Sequence, residues 1–381
     1  LVGYALAMAK RAKKPVEVEA SQGASLHPAP LGLADVLGQE RAVETLQSAM
    51  RSERVHHAWV FHGPAGVGKF TTALAFAAAL LDPTTAPDLT GRLAPDPDSR
   101  VQGLLRSGAH PDLHVVVKEL ARFSDDRATR ERKLISIPLE VVRGHLIDPA
   151  YLASTMPGGA AAKVFVVDEA HLLNTPTQNA LLKTLEEPPD RTVIILVTDS
   201  EERLLPTIRS RSQRVAFGTL DNGSMREWLK GAELGIDPER TDWLLGYAGG
   251  SPGALVRALD AGLEEWHERL APLLARAAKG TYAPDLGPAI AELIDERATA
   301  AAEADKGVSK DAAKKAAAAD MFRLIARQLR ERLRHEPGAA LAEIEALHEA
   351  ERALNAAVQL PFVAEQLSER LAACGAMGNG Q

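Results

Sequence analysis

The sequence predicts an α/β phosphate-loop domain built on a parallel sheet, followed by a small helical lid and an all-helical C-terminal domain. Three observations carry that prediction. The stretch from Phe61 to Thr72, FHGPAGVGKFTT, joins an apolar run (Ala58-Trp59-Val60-Phe61) to an Ala/Leu/Phe-rich run ending at Leu81. This is the strand, Gly-rich loop and helix order that a phosphate loop requires. Apolar segments of strand length then alternate with helical patterns as far as Phe217, the pattern of a parallel sheet. From Thr219 onward the strands stop and the periodic segments have helical spacing.

Within the loop, Gly63, Gly68 and Lys69 fit G-x-x-x-x-G-K-[ST] except at the last position, where Phe70 stands. Gly63, Gly66 and Gly68 let the backbone turn its N–H groups inward at the positive end of the helix dipole. Lys69 is placed to reach the outer phosphates. A Ser or Thr hydroxyl in place of Phe70 would ligate Mg²⁺, and Phe has no oxygen to offer. Thr71 and Thr72 follow, but each helical residue turns the side chain by about 100°, away from the metal position. The loop is expected to hold phosphate while handling Mg²⁺ poorly.

Composition narrows the function classes. At 381 residues two or three domains are expected. A net charge of −7 argues against a chain that grips nucleic acid alone, so DNA contact is expected to be local or shared with partners. The one cysteine, Cys374, allows neither a disulfide framework nor a Cys-based zinc site, and fits a reducing compartment. No apolar run is long enough to span a bilayer, and a cytoplasmic location without membrane partners is expected. The opening LVGYALAMAKRAKK puts apolar before basic residues, the reverse of a signal peptide. Residues 1–33 read as a disordered tail, and whether the first twenty are natively translated is left open.

In chain order, a helix is expected from Ala34 to about Arg51, with Val43, Leu46 and Met50 on its apolar face. Residues 82–111 are rich in Pro, Asp, Thr and Gly and read as a surface excursion. His114 to Val117 reads as a strand, and the charged segment 118–133 as a solvated face. Ile137 to Asp148 is helical. Lys163 to Val167 is a near-continuous apolar strand ending in Asp168 and Glu169. A helix from Thr177 is stopped by Pro188-Pro189, Thr192 to Thr198 is a buried strand, and a short helix precedes a last strand from Gln213 to Phe217. The expected domains are 34–218, a lid at 219–263 and a C-terminal oligomerisation domain at 264–375. Within the last, the Ala/Lys/Asp-rich 297–320 reads as an exposed helical hairpin or connector, and Leu341 to Leu371 as helix.

Acids at the end of a buried strand serve either as a turn or, beside a phosphate loop, as the metal-shell acid (Asp168) and the water-polarising acid (Glu169). Thr198, ending the next strand, is either a γ-phosphate contact or a strand cap. Pro206-Thr207-Ile208-Arg209-Ser210-Arg211-Ser212 presents two arginines at a helix end. Arginine suits recognition of a transferring phosphate, and the alternative is a solvated charge. Asp168-Glu169-Ala170-His171 also resembles helicase motif II, but the arginine-rich final motif of that class is missing.

The order VLGQ, HHAWVFHGPAGVGK, HPDL, VFVVDEAHLLN, ALLKTLEEPP and TIRSRSQ resembles the AAA+ clamp-loader family over Leu33 to Leu259, and most of all its delta-prime branch in bacterial DNA polymerase III. The resemblance implies an AAA+ fold with lid and collar, and a stator in a ring that uses ATP to load a sliding clamp on primed DNA. It puts Arg211 at the arginine-finger position, acting in trans on a neighbour's ATP, with Ser212 in place of the usual Cys. It also implies gamma/tau- and delta-type subunits as partners, with the clamp and DNA reached through the ring. Gly253, in Gly250-Ser251-Pro252-Gly253-Ala254, occupies the sensor-two arginine position. Relatives carry a four-cysteine zinc module in the excursion; here His110 and His114 cannot bind zinc alone, so no zinc is expected. At the chain's own site, Gly63, Gly66, Gly68, Lys69 and Thr198 are the nucleotide-contact positions and Asp168 with Glu169 a degenerate acid pair, so weak or no binding of ATP and Mg²⁺ is expected. The rivals are an active gamma/tau-type motor and an unrelated AAA+ remodelling ATPase. Lys69, Asp168 and Glu169 favour them, whereas Phe70 and Gly253 oppose them.

Overall fold

The computed structural model describes residues 27–378 apart from 53–54, 125, 131–135, 305–308, 334–335 and 357. Most of the expected N-terminal tail lies outside the described residues. The chain forms two compact units. The first runs through the described chain to Asp237 and takes in Ala248–Ala254; the second comprises Pro238–Tyr247 and the chain from Leu255 onward.

The first unit is built on strands β1 (Ala58–His62), β4 (Leu113–Val116), β5 (Lys163–Val167), β6 (Thr192–Thr198) and β7 (Gln213–Ala216). Between β1 and β4 lies a small antiparallel hairpin of β2 (Ala86–Pro87) and β3 (Leu93–Ala94). The main sheet has the order β4-β5-β6-β1-β7 with every pair parallel. Every residue of β5 and β6 is buried, because helices cover both faces of a parallel sheet. On one face Val141, Val142 and Leu146 join Leu181 and Leu185 of the Thr175–Glu186 helix over Phe165, Val167, Ile194 and Leu196. The other is covered by the Lys69–Leu81 helix, which is buried along its whole length and sets Phe76 edge-on to Trp59 at 5.3 Å. A helix that is apolar all round can only be an interior one. Asn174 caps the Thr175–Glu186 helix by accepting from the Thr177 amide at 2.9 Å.

Several expectations are corrected. The first helix begins at Glu40, after a single 3-10 turn at Leu33–Asp35, because Gly38 adopts φ 67 and breaks the run. The next residue, Gln39, is buried, donating to Gly218 O at 2.7 Å and Val67 O at 3.2 Å. The 82–111 excursion does lie largely on the surface, but it carries the β2–β3 hairpin and a helix at Arg100–Arg106. At its base, buried Asp82 accepts from Thr84 N and Oγ1, Ser99 Oγ and Gln102 Nε2. The helical stretch 139–150 carries a π-turn at Arg143–Ile147.

The second unit is entirely helical among its described residues. Its main helices are Leu263–Ala278, Leu286–Ala304, Lys310–Arg332, Pro337–Asn355 and Leu360–Gly378. Trp266, Leu270, Ile290, Ile294, Met321, Ile325, Leu347 and Leu367 are buried in it. The Ala-rich segment falls on two successive helices, the end of Leu286–Ala304 and the start of Lys310–Arg332, with one face buried and the rest exposed. Ala313, Ala317 and Ala318 are buried, and Lys314 pairs with Asp295 on the preceding helix at 2.7 Å. The expected continuous helix 341–371 is two helices, with Pro361 in the first turn of the second, where its missing N–H leaves no bond unmade. No helix among the described residues is long and apolar enough to cross a membrane.

Candidate functional site

The site forms where β1, β5 and β6 end together, the place at which an open parallel sheet presents its loops. His62 at the end of β1 lies opposite Thr198 at the end of β6. The loop leaves β1 through Gly63 (φ 141), Gly66 (φ 76) and Gly68 (φ 97), a backbone path that side chains with a Cβ resist. Lys69 opens the following helix and is buried, with Nζ donating to Gly63 O at 2.7 Å and Pro64 O at 2.5 Å.

Burial pulls the Lys69 ammonium down to about 8, partly offset by the charges of Asp199 and Asp168. Asp168 follows β5 directly. Burial pushes its carboxyl up to about 7, the charge of Glu169 adding to the shift and the Glu169 amide, 2.9 Å from Oδ1, opposing it. Loop lysine and strand-end acid are both driven toward neutrality. Glu169 adopts φ 48 and pairs through Oε2 with Lys118 Nζ at 2.7 Å. Lys118 lies two residues past β4, and β4 pairs with β5, so sheet order brings this lysine into the site.

Thr198 Oγ1 accepts from the Ser200 amide at 3.1 Å, as a strand cap does, and lies 3.4 Å from His171 Nδ1. His171 Nδ1 is 2.9 Å from Asp199 Oδ1, and that hydrogen bond holds the Asp199 carboxyl below the usual carboxylate range. Phe70 is buried, and Thr72 donates its hydroxyl to Gly68 O at 2.9 Å. The donor set expected of a Mg–nucleotide site is therefore incomplete: Phe70 offers no oxygen and the Thr72 hydroxyl is already engaged.

The segment at Gly250 to Ala254 closes on the loop. Ser251 Oγ donates to Ala65 O at 2.9 Å, and the Gly253 amide donates to Gly66 O at 2.9 Å. A Cβ on Gly253 would lie 2.7 Å from Gly66 Cα, so no larger residue enters this position without a shift of the backbone.

Arg211 stands apart from this cluster. It is the C-cap residue of the Pro206–Ser210 helix, and its NH2 is 2.7 Å from Glu186 Oε1 while NH1 donates to Thr207 O at 3.1 Å. Ser212 donates to Ile208 O at 2.9 Å. The structure thus gathers Gly63, Gly66, Gly68, Lys69, Asp168, Glu169 and Thr198 in one place and leaves Arg211 on the flank. The sequence reading missed Lys118, Asp199 and Glu186, and gave Ser251 no role of its own within its motif. The first two follow from strand order, since they sit just past the ends of strands neighbouring β5 and β1. Among the described residues no group of three or more His, Cys, Asp or Glu is arranged to hold a metal.

A family model described as "DNA polymerase III, delta subunit" matches residues 38–221. A DNA polymerase III subunit delta' of Pseudomonas aeruginosa is 33% identical over 234 residues, covering 61% of this chain and 64% of that protein. A DNA polymerase III subunit gamma/tau of Mycobacterium tuberculosis is 31% identical over 251 residues, covering 62% of this chain and 39% of that protein. A tau subunit of Bacillus subtilis is 28% identical over 235 residues, covering 61% of this chain and 38% of that protein. The matched region thus spans under two thirds of each relative's own length.

Proposed function

We propose, from the premise that this chain belongs to the AAA+ clamp-loader family of DNA polymerase III subunits, that it acts as the delta-prime-type stator of the loader. In this role it hydrolyses little or no ATP itself. It supplies Arg211 in trans to the ATP site of a neighbouring gamma/tau-type motor subunit. The assembled ring, containing delta-type subunits as well, places the sliding clamp on primed DNA in the cytoplasm. The helical segment 264–375 supplies the main ring contacts, since long amphipathic helices suit helix–helix assembly.

The observation that carries this reading is the Gly253–Gly66 contact. The sensor-two position faces the phosphate loop with backbone against backbone, which leaves no room for the arginine a hydrolysing subunit would put there. Buried Phe70 in place of the metal hydroxyl supports the same conclusion. Among the described residues Arg211 is held by an exposed carboxylate and one carbonyl, which leaves guanidinium donors for a neighbour. Such a group stabilises charge on the transferring phosphoryl, and in other phosphate-loop enzymes it is worth on the order of 10³–10⁵ in rate.

A motor role is the second reading, favoured by Lys69, Asp168 and Glu169 standing together at the site. ATP hydrolysis by the isolated chain separates the two. The stator reading expects negligible turnover. Turnover comparable to that of a motor subunit, and abolished by Lys69→Ala, would establish the motor reading instead.

A further inference from the structure

Glu186 is the last residue of the Thr175–Glu186 helix, and the Glu187-Pro188-Pro189 sequence stops the chain from continuing that helix. A carboxylate at this end faces the negative pole of the helix dipole, which disfavours it unless a cation stands opposite. That cation is Arg211, whose own position at the C-terminal end of the Pro206–Ser210 helix favours a positive charge. Two helix ends thus share one ion pair.

The guanidinium is fixed at two points on two different elements: NH2 on Glu186 Oε1 at 2.7 Å and NH1 on Thr207 O at 3.1 Å. A guanidinium carries five N–H donors in a planar fork, so two anchors define its plane and leave donors over for a phosphate. The side chains are 37% and 47% exposed. An ion pair that open to solvent contributes little to folding, so the arrangement is not explained by stability.

We propose that Glu186 is a positioning residue for the Arg211 finger. It holds the guanidinium in the plane in which the fork meets the neighbour's phosphate, and remains bonded to it during the neighbour's reaction. The inference rests on the trans-acting reading of Arg211. A flexible arginine must order itself at the moment of contact, and prior orientation removes that cost. No role in binding the neighbour's ATP is assigned to Glu186, so its loss lowers the turnover number and not the affinity for ATP.

The test uses rings reconstituted with wild-type subunit, Glu186→Gln, Glu186→Asp, Arg211→Ala or the double variant, compared at equal assembly in clamp- and DNA-stimulated ATP hydrolysis. Glu186→Gln is expected to lower kcat about three- to tenfold with KM for ATP unchanged. Glu186→Asp, which keeps the charge, restores part of the loss. The double variant is no slower than Arg211→Ala alone. An inert Arg211→Ala would overturn the trans-finger reading itself, and this inference with it. If Arg211→Ala slows the ring but Glu186→Gln does not, only the positioning role is overturned. The same holds if Glu186→Gln accelerates hydrolysis, which would make the pair a latch, or if its effect multiplies that of Arg211→Ala. Lost assembly in Glu186→Gln would make Glu186 an interface residue and likewise overturn the proposal.

Discussion

Gly253 and Gly66 meet backbone to backbone: the amide of one donates to the carbonyl of the other at 2.9 Å, and a Cβ on Gly253 would fall 2.7 Å from Gly66 Cα. Alanine is the better helix former by about 1 kcal/mol. At this site the overlap dominates, because the atom met is backbone and cannot swing aside. Gly253→Ala is expected to destabilise the protein by about 1–2 kcal/mol, read from the midpoint of chemical denaturation.

Phe70 tests the same closure from the helix side. Its ring is buried, so Phe70→Thr removes apolar contact at a cost of about 2–4 kcal/mol. The hydroxyl gained is not expected to bring Mg²⁺-dependent nucleotide binding, since the Gly253 contact and the bonds of Lys69 to Gly63 O and Pro64 O persist. Titration with a fluorescent ATP analogue, with and without Mg²⁺, checks this. Tight Mg²⁺-dependent binding by the variant would show that Phe70 alone disables the site.

Asp168 gives a pH dependence with a definite sign. Its carboxyl is raised from 3.8 to about 7 by burial, so the unfolded chain releases this proton at lower pH than the folded one. Its contribution is fully present below the unfolded value and is lost as pH rises through the folded one. Asp168→Asn should therefore flatten the fall in stability between about pH 4 and pH 7, and raise stability at pH 8 by about 1 kcal/mol or more. Urea denaturation of both proteins across that range measures it.

Asp82 anchors the segment that composition marked as a surface excursion. It accepts from Thr84 N at 2.9 Å and from Gln102 Nε2 at 3.0 Å while itself buried. Asp82→Ala strands these donors and is expected to cost about 2–3 kcal/mol. Hydrogen exchange should rise first in the Arg100–Arg106 helix.

The strands at the centre of the sheet were legible because full burial writes itself as an unbroken apolar run, and Thr192–Thr198 matches the expected segment end for end. The phosphate loop was legible from its glycines. The β2–β3 hairpin was not, since two-residue strands carry no period. Gln39 hid its role for a different reason: a polar side chain that binds Val67 O and Gly218 O has no local signature. Lys118 and Glu186 likewise acquire their partners only through sheet order and helix placement, which a linear pattern does not encode. The buried face of the Ala-rich 297–320 segment was not legible, because alanine packs helices closely without the large side chains that make a period visible.

The central claim is that Arg211 acts on ATP it does not bind. The most direct measurement is clamp- and DNA-stimulated ATP hydrolysis by a reconstituted ring carrying wild-type, Arg211→Ala or Arg211→Lys subunit, matched for assembly. Arg211 is partly exposed and, among the described residues, bonds to Glu186 and Thr207 at the surface, so both variants should fold and assemble normally. Hydrolysis should fall at least severalfold with Arg211→Ala, less than the full effect of a finger because other ATP sites in the ring remain intact. Arg211→Lys should fail to restore it, since a point charge cannot reproduce the fork. Equal rates for all three rings would make Arg211 an ordinary surface charge and contradict the stator account.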